Sequence, residues 1–399
     1  MRVLLTTIGS RGDVQPLLAL ALRLRDLGRQ VRLCVPPDFR ELAGSHDLPF
    51  VPLGPELRGI TRTRAAGEAL PSADDARKLI PATVANQFTT LRDAAADCDA
   101  IVACNQIQVA ARSVAELLGI RYVFADYSPV ILPSPHHTPP PFPGRPAAGP
   151  GASNSELWDS DARHRDAIWL APLNEHRVAA GLPPVTDVRA HVLTGEPLLA
   201  ADPALAPWPA PSDLAVRQTG AWILPDDRPL PAGVTEFLAA GEPPVYFGFG
   251  SMTSPRETSL AMVGAARALG RRAIVLRGWA GFAPVDDAPD CLAVDETNLR
   301  VLFGHVAAVV HHGGAGTTTT ASLGGAPQVV VPHHYDQNYF AQRVRDLGIG
   351  VAHASAQPTA DSLAEALESA LRPGVVSRAR EFAPTIRLDG TDRAAACLP

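Results

Sequence analysis

The sequence predicts an α/β protein built as two doubly wound domains facing each other across a cleft. Three observations carry this expectation. Each half repeats one grammar, in which a buried strand is followed by a glycine turn and a helix. A proline-rich stretch joins the halves. And 399 residues exceed one ordinary domain of roughly 150 residues but suit two or three. The expected division is residues 1–205, a linker at 206–222 and residues 223–399, with the last helix packing back on the first domain.

The first strand reads Arg2 to Ile8, followed by the turn GSRGD and a helix over VQPLLALALRLRDLG that stops at Gly28. The strand QVRLCVP comes next, then strands at Phe50 to Leu53, Ala100 to Cys104 and Arg121 to Ala125. A helix over Gln108 to Leu118 separates the last two. From Ser128 to Gly151 the chain is dense in proline and glycine, which excludes a regular helix or a central strand and marks a binding loop, a lid or a disordered segment. A helix follows from about Ser155 to Ala180, then the proline-rich segment Asp202 to Val216.

The second half restarts with PPVYFGFGSM, a strand running into a glycine turn. A helix over Glu257 to Leu269 and the strands AIVLRGW and CLAVDE follow. AAVVHHGGAGTTTTASLG reads as strand, glycine turn and helix, and QVVVPHHYDQ as strand and loop. The helix Asn338 to Leu347 and a helical tail to about Leu398 complete the chain.

Composition excludes several classes. With 46% hydrophobic and 19% charged residues, the chain has material for a core and is not a disordered polymer. No apolar run reaches the ~20 residues of a membrane helix, and the start lacks the apolar core of a signal peptide. A cytoplasmic protein without an integral membrane segment is expected. The net charge of −6 lacks the basic excess of a phosphate-neutralising nucleic-acid binder. Five scattered cysteines without a CxxC pair argue against disulfides and cysteine-bound zinc. Lys78 is the only lysine and follows no glycine loop, so there is no P-loop.

The strongest chemical signal is HHGGAGTTTT, His311 to Thr320, which leaves a strand and opens a helix. Free amides at a helix start, three glycines, a histidine and threonine hydroxyls together suit a diphosphate. The competing explanation is a tight turn with a capping threonine. The pair Asp336–Gln337 follows another strand. A carboxylate beside an amide suits hydroxyl recognition, and an Asp N-cap is the plain alternative. In GSRGD, Asp13 sits where a base could face the cleft, and here a capping role is the simpler expectation. GFGS, Gly248 to Ser251, is a weaker glycine turn of the same kind. The histidine pairs 136–137, 311–312 and 333–334 are poor chelates, because strand neighbours point to opposite faces. With no HExxH and no GxSxG, neither a metal site nor a serine hydrolase is expected.

These residues carry a resemblance. MRVLLTTIGSRGDVQPLLALALRLRDLG, LLAADPALAP, QTGAWILPDDRPLP, VYFGFGS, IVLRGWA, HHGGAGT and DQNYFAQRVRDLGIGVA resemble the GT-B, family-1-type glycosyltransferases of antibiotic biosynthesis, in particular those that decorate vancomycin-type aglycones. The resemblance implies an inverting transferase moving a sugar from a TDP- or UDP-sugar to a hydroxyl of a small-molecule or peptide natural product. It implies an N-terminal acceptor domain and a C-terminal donor domain. It places Asp13 as general base. Ser10, Ser251, His312, Gly314, Gly316 and Thr317 would hold the diphosphate, and Asp336 and Gln337 the sugar. It assigns the loop Ser128 to Pro143 to the acceptor and the stretch Asp295 to Asn298 to the base, and it needs neither cofactor nor metal. The tail near Arg393 to Leu398 is short beside the family's. A sterol or lipid glucosyltransferase shares the SRGD opening and the acid–amide pair and is the near alternative. A 2-epimerase of the same fold and a non-catalytic auxiliary partner are the others.

Overall fold

The computed structural model describes residues 1–59, 73–142, 145, 149, 151–249, 256–279, 286 and 288–398. Thirteen strands in these residues form two sheets that share one topology. In the first half, β1 (Arg2–Thr6), β2 (Gln30–Val35), β3 (Phe50–Pro52), β4 (Ala100–Cys104), β5 (Arg121–Asp126), β6 (Leu198–Leu199) and β7 (Arg217–Gln218) lie in the order β3-β2-β1-β4-β5-β6-β7. In the second, β8 (Val245–Gly248), β9 (Ala273–Leu276), β10 (Cys291–Val294), β11 (Ala308–His311), β12 (Gln328–Val330) and β13 (Gly350–Ala352) lie in the order β10-β9-β8-β11-β12-β13. Every pairing is parallel. Strand order reverses between β1 and β4 in one sheet and between β8 and β11 in the other, and ligands of such sheets sit at those points.

The strands form where the sequence is continuously apolar, because both faces of a parallel sheet are covered. Val3, Leu4 and Leu5 of β1 and all five residues of β4 are buried. The helices that matter for the site are α1 (Arg11–Asp26), α2 (Ala73–Ala95), α3 (Ala111–Leu118), α4 (Asn154–Ala179), α5 (Arg256–Ala268), α6 (Ala315–Leu323), α7 (Gln337–Asp346), α8 (Ala360–Ala370), α9 (Pro373–Phe382) and α10 (Gly390–Ala396). Two of the boundaries that differ from expectation bear on the site. α1 begins at Arg11 rather than after the turn, so Asp13 lies inside its first turn. α3 begins three residues later than Gln108, whose amide instead donates to the buried Thr6 hydroxyl at 2.9 Å.

The halves are locked together at several points. The expected linker, residues 206–222, contributes β7 to the first sheet, and its Trp222 packs in the first half's core. The final helix does the same, since Ala394, Ala395 and Leu398 join the cluster of Leu5, Leu17 and Leu20. Arg343 of α7 donates to the Leu205 carbonyl at 2.8 Å, and Asp202 accepts from the Arg387 amide at 2.8 Å. Across the cleft mouth Phe39 meets Trp279 with centroids 6.1 Å apart, and Arg11 pairs with Glu296. Among the described residues, no helix is long and apolar enough to cross a membrane.

Candidate active site

The carboxyl ends of both sheets supply the site. At the first reversal point, Asp13 reaches back to the Ser10 amide with Oδ2 at 2.8 Å. The capping expectation is therefore half right: Ser10 is the N-cap, and Asp13 completes the cap from the third helical position. Its other oxygen accepts from Asn105 Nδ2 at 3.4 Å, and Tyr127 donates to its backbone carbonyl at 2.8 Å. Gly9 is required here, because a Cβ on it would lie 2.2 Å from Asp13 Oδ2. Burial raises the Asp13 pKa from the ordinary 3.8 to about 6, against the lowering effect of the Ser10 and Asn105 hydrogen bonds.

Two further residues at this reversal point were not anticipated. Asn105, just beyond β4, holds a left-handed φ of 74° and also donates to the Ile8 carbonyl at 3.1 Å, bridging β1 to Asp13. Asp126 closes β5 and is 8% exposed. Its Oδ1 accepts from the amides of Tyr127 at 2.7 Å and Ser128 at 3.2 Å. Burial raises its pKa to about 8, the two amides lower it, and the charges of Asp336 and Asp13 raise it. A signal existed for both: each is a polar residue that ends or directly follows the buried apolar part of a strand.

At the second reversal point, His311 and His312 part ways. His311 is fully buried, bonds Gln328 Oε1 at 2.9 Å and accepts from the Gly313 amide at 3.1 Å, so it is structural. His312 lies in the turn beyond the strand, with Nδ1 buried and without a hydrogen-bond partner. Burial, then the neighbouring histidines, lower its pKa to about 3, so the ring is neutral. Gly313 has φ 89°, and a Cβ there would meet Val330 Cγ1 at 2.7 Å and the Gln337 carbonyl at 3.0 Å. This close approach stacks the glycine turn against the Asp336 turn. α6 starts at Gly314 without a side-chain cap. The threonine run is divided: Thr318, Thr319 and Thr320 return their hydroxyls to carbonyls four residues earlier at 2.8–2.9 Å. Thr317, half-buried, has no such bond among the described residues. A Cβ on Gly316 would meet nothing within 4 Å, so the space before it is open.

Asp336 occupies the N-cap position of α7, yet its side chain makes no capping bond. Its pKa rises to about 7, by burial first and then the charge of Asp13. The charge of Asp13, in one half, thus acts on Asp336, in the other. Gln337 is 6% exposed, and its oxygen accepts from the amides of His333 at 2.8 Å and His334 at 3.2 Å, which braces the turn. Ser251 and Pro143 lie outside the described residues. The described part of the loop from Ser128 is strapped down: Trp158 donates to the His137 carbonyl at 2.9 Å, and Asn154 to the Pro135 carbonyl at 2.8 Å. Of the stretch at the second sheet's edge, Asn298 caps its own short helix and holds the Asp226 and Arg228 carbonyls. Among the described residues, no group of three or more His, Cys, Asp or Glu is arranged to hold a metal ion.

Two fully parallel sheets whose carboxyl ends supply one site define the GT-B fold. The structure solved as the glycotransferase of kitacinnamycin superposes with a TM-score of 0.72 at 19% identity, covering 100% of this chain and 98% of that one. Residues 3–133 match the glycosyltransferase family 28 N-terminal domain, and residues 280–383 the erythromycin biosynthesis protein CIII-like C-terminal domain. Glycosyltransferase GtfE of Amycolatopsis orientalis is 48% identical, and a vancomycin aglycone glucosyltransferase of the same organism 47%; each alignment spans 100% of this chain and 97% of the relative. The chain belongs to the vancomycin-group glycosyltransferases and is a nucleotide-sugar-dependent enzyme.

Proposed function

We propose that this enzyme transfers a sugar, with inversion, from a TDP- or UDP-sugar to a hydroxyl of an antibiotic aglycone. The observation that carries the reading is the Asp13 carboxyl, buried at the first reversal point and fixed by Ser10 and Asn105. A base with a pKa near 6 is ionised at neutral pH and is a stronger proton acceptor than an ordinary carboxylate. Asp13 takes the acceptor proton as the acceptor oxygen attacks the anomeric carbon from the face opposite the leaving group.

The leaving diphosphate meets the uncapped start of α6, with Gly314 and Gly316 giving backbone room and Thr317 a hydroxyl. His312, neutral in the free enzyme, donates a ring N–H. Ser10 and Ser251 complete the phosphate contacts in this reading. Asp336 and Gln337 contact the donor sugar, and the loop from Ser128 to Pro143 covers the acceptor. We infer no metal or cofactor requirement, because these donors are aimed where the negative charge develops; loss of activity in EDTA that Mg²⁺ restores would refute that. Residues 1–205 would form the acceptor domain and residues 223–399 the donor domain. The aglycone-acting relative at 47% identity favours an aglycone over a sterol or lipid acceptor.

The test is Asp13→Asn. It is expected to lower kcat by about 10²–10⁴, with TDP or UDP binding intact. In the wild type, kcat should fall as pH drops through about 6, where Asp13 takes up a proton. A near-wild-type kcat in the variant would end the assignment of Asp13 as base.

A further inference from the structure

Asp126 and Ser128 have no part in the reading above, yet they stand inside its site. Both come from the end of β5, in the half of the molecule expected to hold the acceptor. The Asp126 carboxyl is locked through Oδ1 by two backbone amides, while Oδ2 makes no hydrogen bond with the described residues. Ser128 is 1% exposed, and its hydroxyl makes no well-formed hydrogen bond within the described residues. That hydroxyl nevertheless lies close enough to the Asp336 carboxyl to lower its pKa, which aims it at the turn proposed to meet the sugar. A buried hydroxyl left unpaired is costly unless a ligand completes it.

The charge balance narrows the ligand. The charges of Asp336 and Asp13 both raise the pKa of Asp126, and that of Asp13 raises Asp336, so a further anion is disfavoured here. Such a site calls for neutral O–H donors that can also accept from a serine hydroxyl, and a polyol provides both.

We propose that Asp126 and Ser128 form a hydroxyl-recognition subsite that reads the transferred sugar from the N-terminal half, opposite Asp336. Donor selection is then shared between the halves, so a cleft that has not closed does not discriminate between sugars. The inference rests on Asp336 meeting the donor sugar.

The experiment compares wild type, Ser128→Ala and Asp126→Asn. Donor KM and acceptor KM are measured with TDP-glucose, UDP-glucose and the monodeoxyglucose analogues of whichever is turned over. Binding of TDP and UDP is measured by calorimetry. Donor KM is expected to rise about tenfold in each variant, with nucleotide binding and acceptor KM unchanged. The penalty should disappear for the one deoxy donor that lacks the recognised hydroxyl. A change confined to acceptor KM, an equal penalty against every deoxy donor, or wild-type kinetics in both variants would overturn the subsite while leaving the donor reading intact. If the wild type binds neither nucleotide and transfers neither sugar, the donor reading falls and takes the subsite with it.

Discussion

The two strand-order reversal points are alike in topology and opposite in chemistry. In each, a parallel strand ends at the cleft and a glycine turn opens a helix. At α1 the helix start is filled from within: Asp13 folds back onto the Ser10 amide. At α6 the start carries no side-chain cap, and the nearest titratable group is a neutral histidine with an unpaired nitrogen. One end therefore presents a carboxylate of raised pKa, suited to accepting a proton. The other presents unclaimed donors, suited to an anion. Because backbone geometry is nearly shared, the division of labour lies in a few side chains placed on it.

After the loss of Asp13 itself, Gly9→Ala should break the first end most. The new Cβ would sit 2.2 Å from Asp13 Oδ2 and force the carboxyl to swing away. We expect kcat to fall by about 10², because a base displaced by an ångström is a poor base. Nucleotide binding should be untouched, and a variant with normal turnover would show that Asp13 need not hold this pose.

His312→Ala attacks the second end. TDP or UDP binding should weaken about tenfold by calorimetry, the usual scale for one hydrogen bond to a charged group. The affinity difference between wild type and variant should be flat between pH 5 and 8, since the free ring charges only near pH 3. A difference that grows as pH falls through 6.5 would mean the histidine binds as a cation.

The smallest effect concerns stability. The folded pKa of Asp126, about 8, lies above the ordinary 3.8, so the folded chain holds this proton more tightly than the unfolded chain. Its contribution is complete below pH ~4 and is lost as pH rises toward 8. Asp126→Asn cannot ionise, so relative to wild type it should gain roughly 1–3 kcal/mol between pH 5 and pH 8.5. Thermal melts at the two pH values read this, and parallel curves would show that Asp126 is solvated as an ion.

Much of the fold was legible from local pattern. Largely apolar runs become strands, Arg2–Thr6 within the expected Arg2 to Ile8 and Gln328–Val330 within QVVV, because a parallel sheet buries both faces. HHGGAGT was legible for the same reason, since glycines beyond a strand have few other uses. Boundaries were less so. α1 starts inside GSRGD because the Ser10–Asp13 cap extends the helix toward the strand, a contact with no periodicity of its own. Asn105 and Asp126 went unremarked because single polar residues after strands are common.

Sequence alone settled the alternation of strand and helix, the two-part division of that pattern, and which turns carry glycine, acid or histidine. These depend on neighbours within a few residues, where propensity and spacing act. Tertiary structure decided which of those residues meet. Asp13, Asp126 and Asp336 are separated by more than a hundred residues at each step, and only the facing of the two sheets brings their charges within reach of one another. It also decided their protonation, because the raised pKa values come first from burial, which no stretch of sequence contains. And it separated His311 from its neighbour: one residue further along the chain, the strand ends, and a structural histidine gives way to one that opens onto the site.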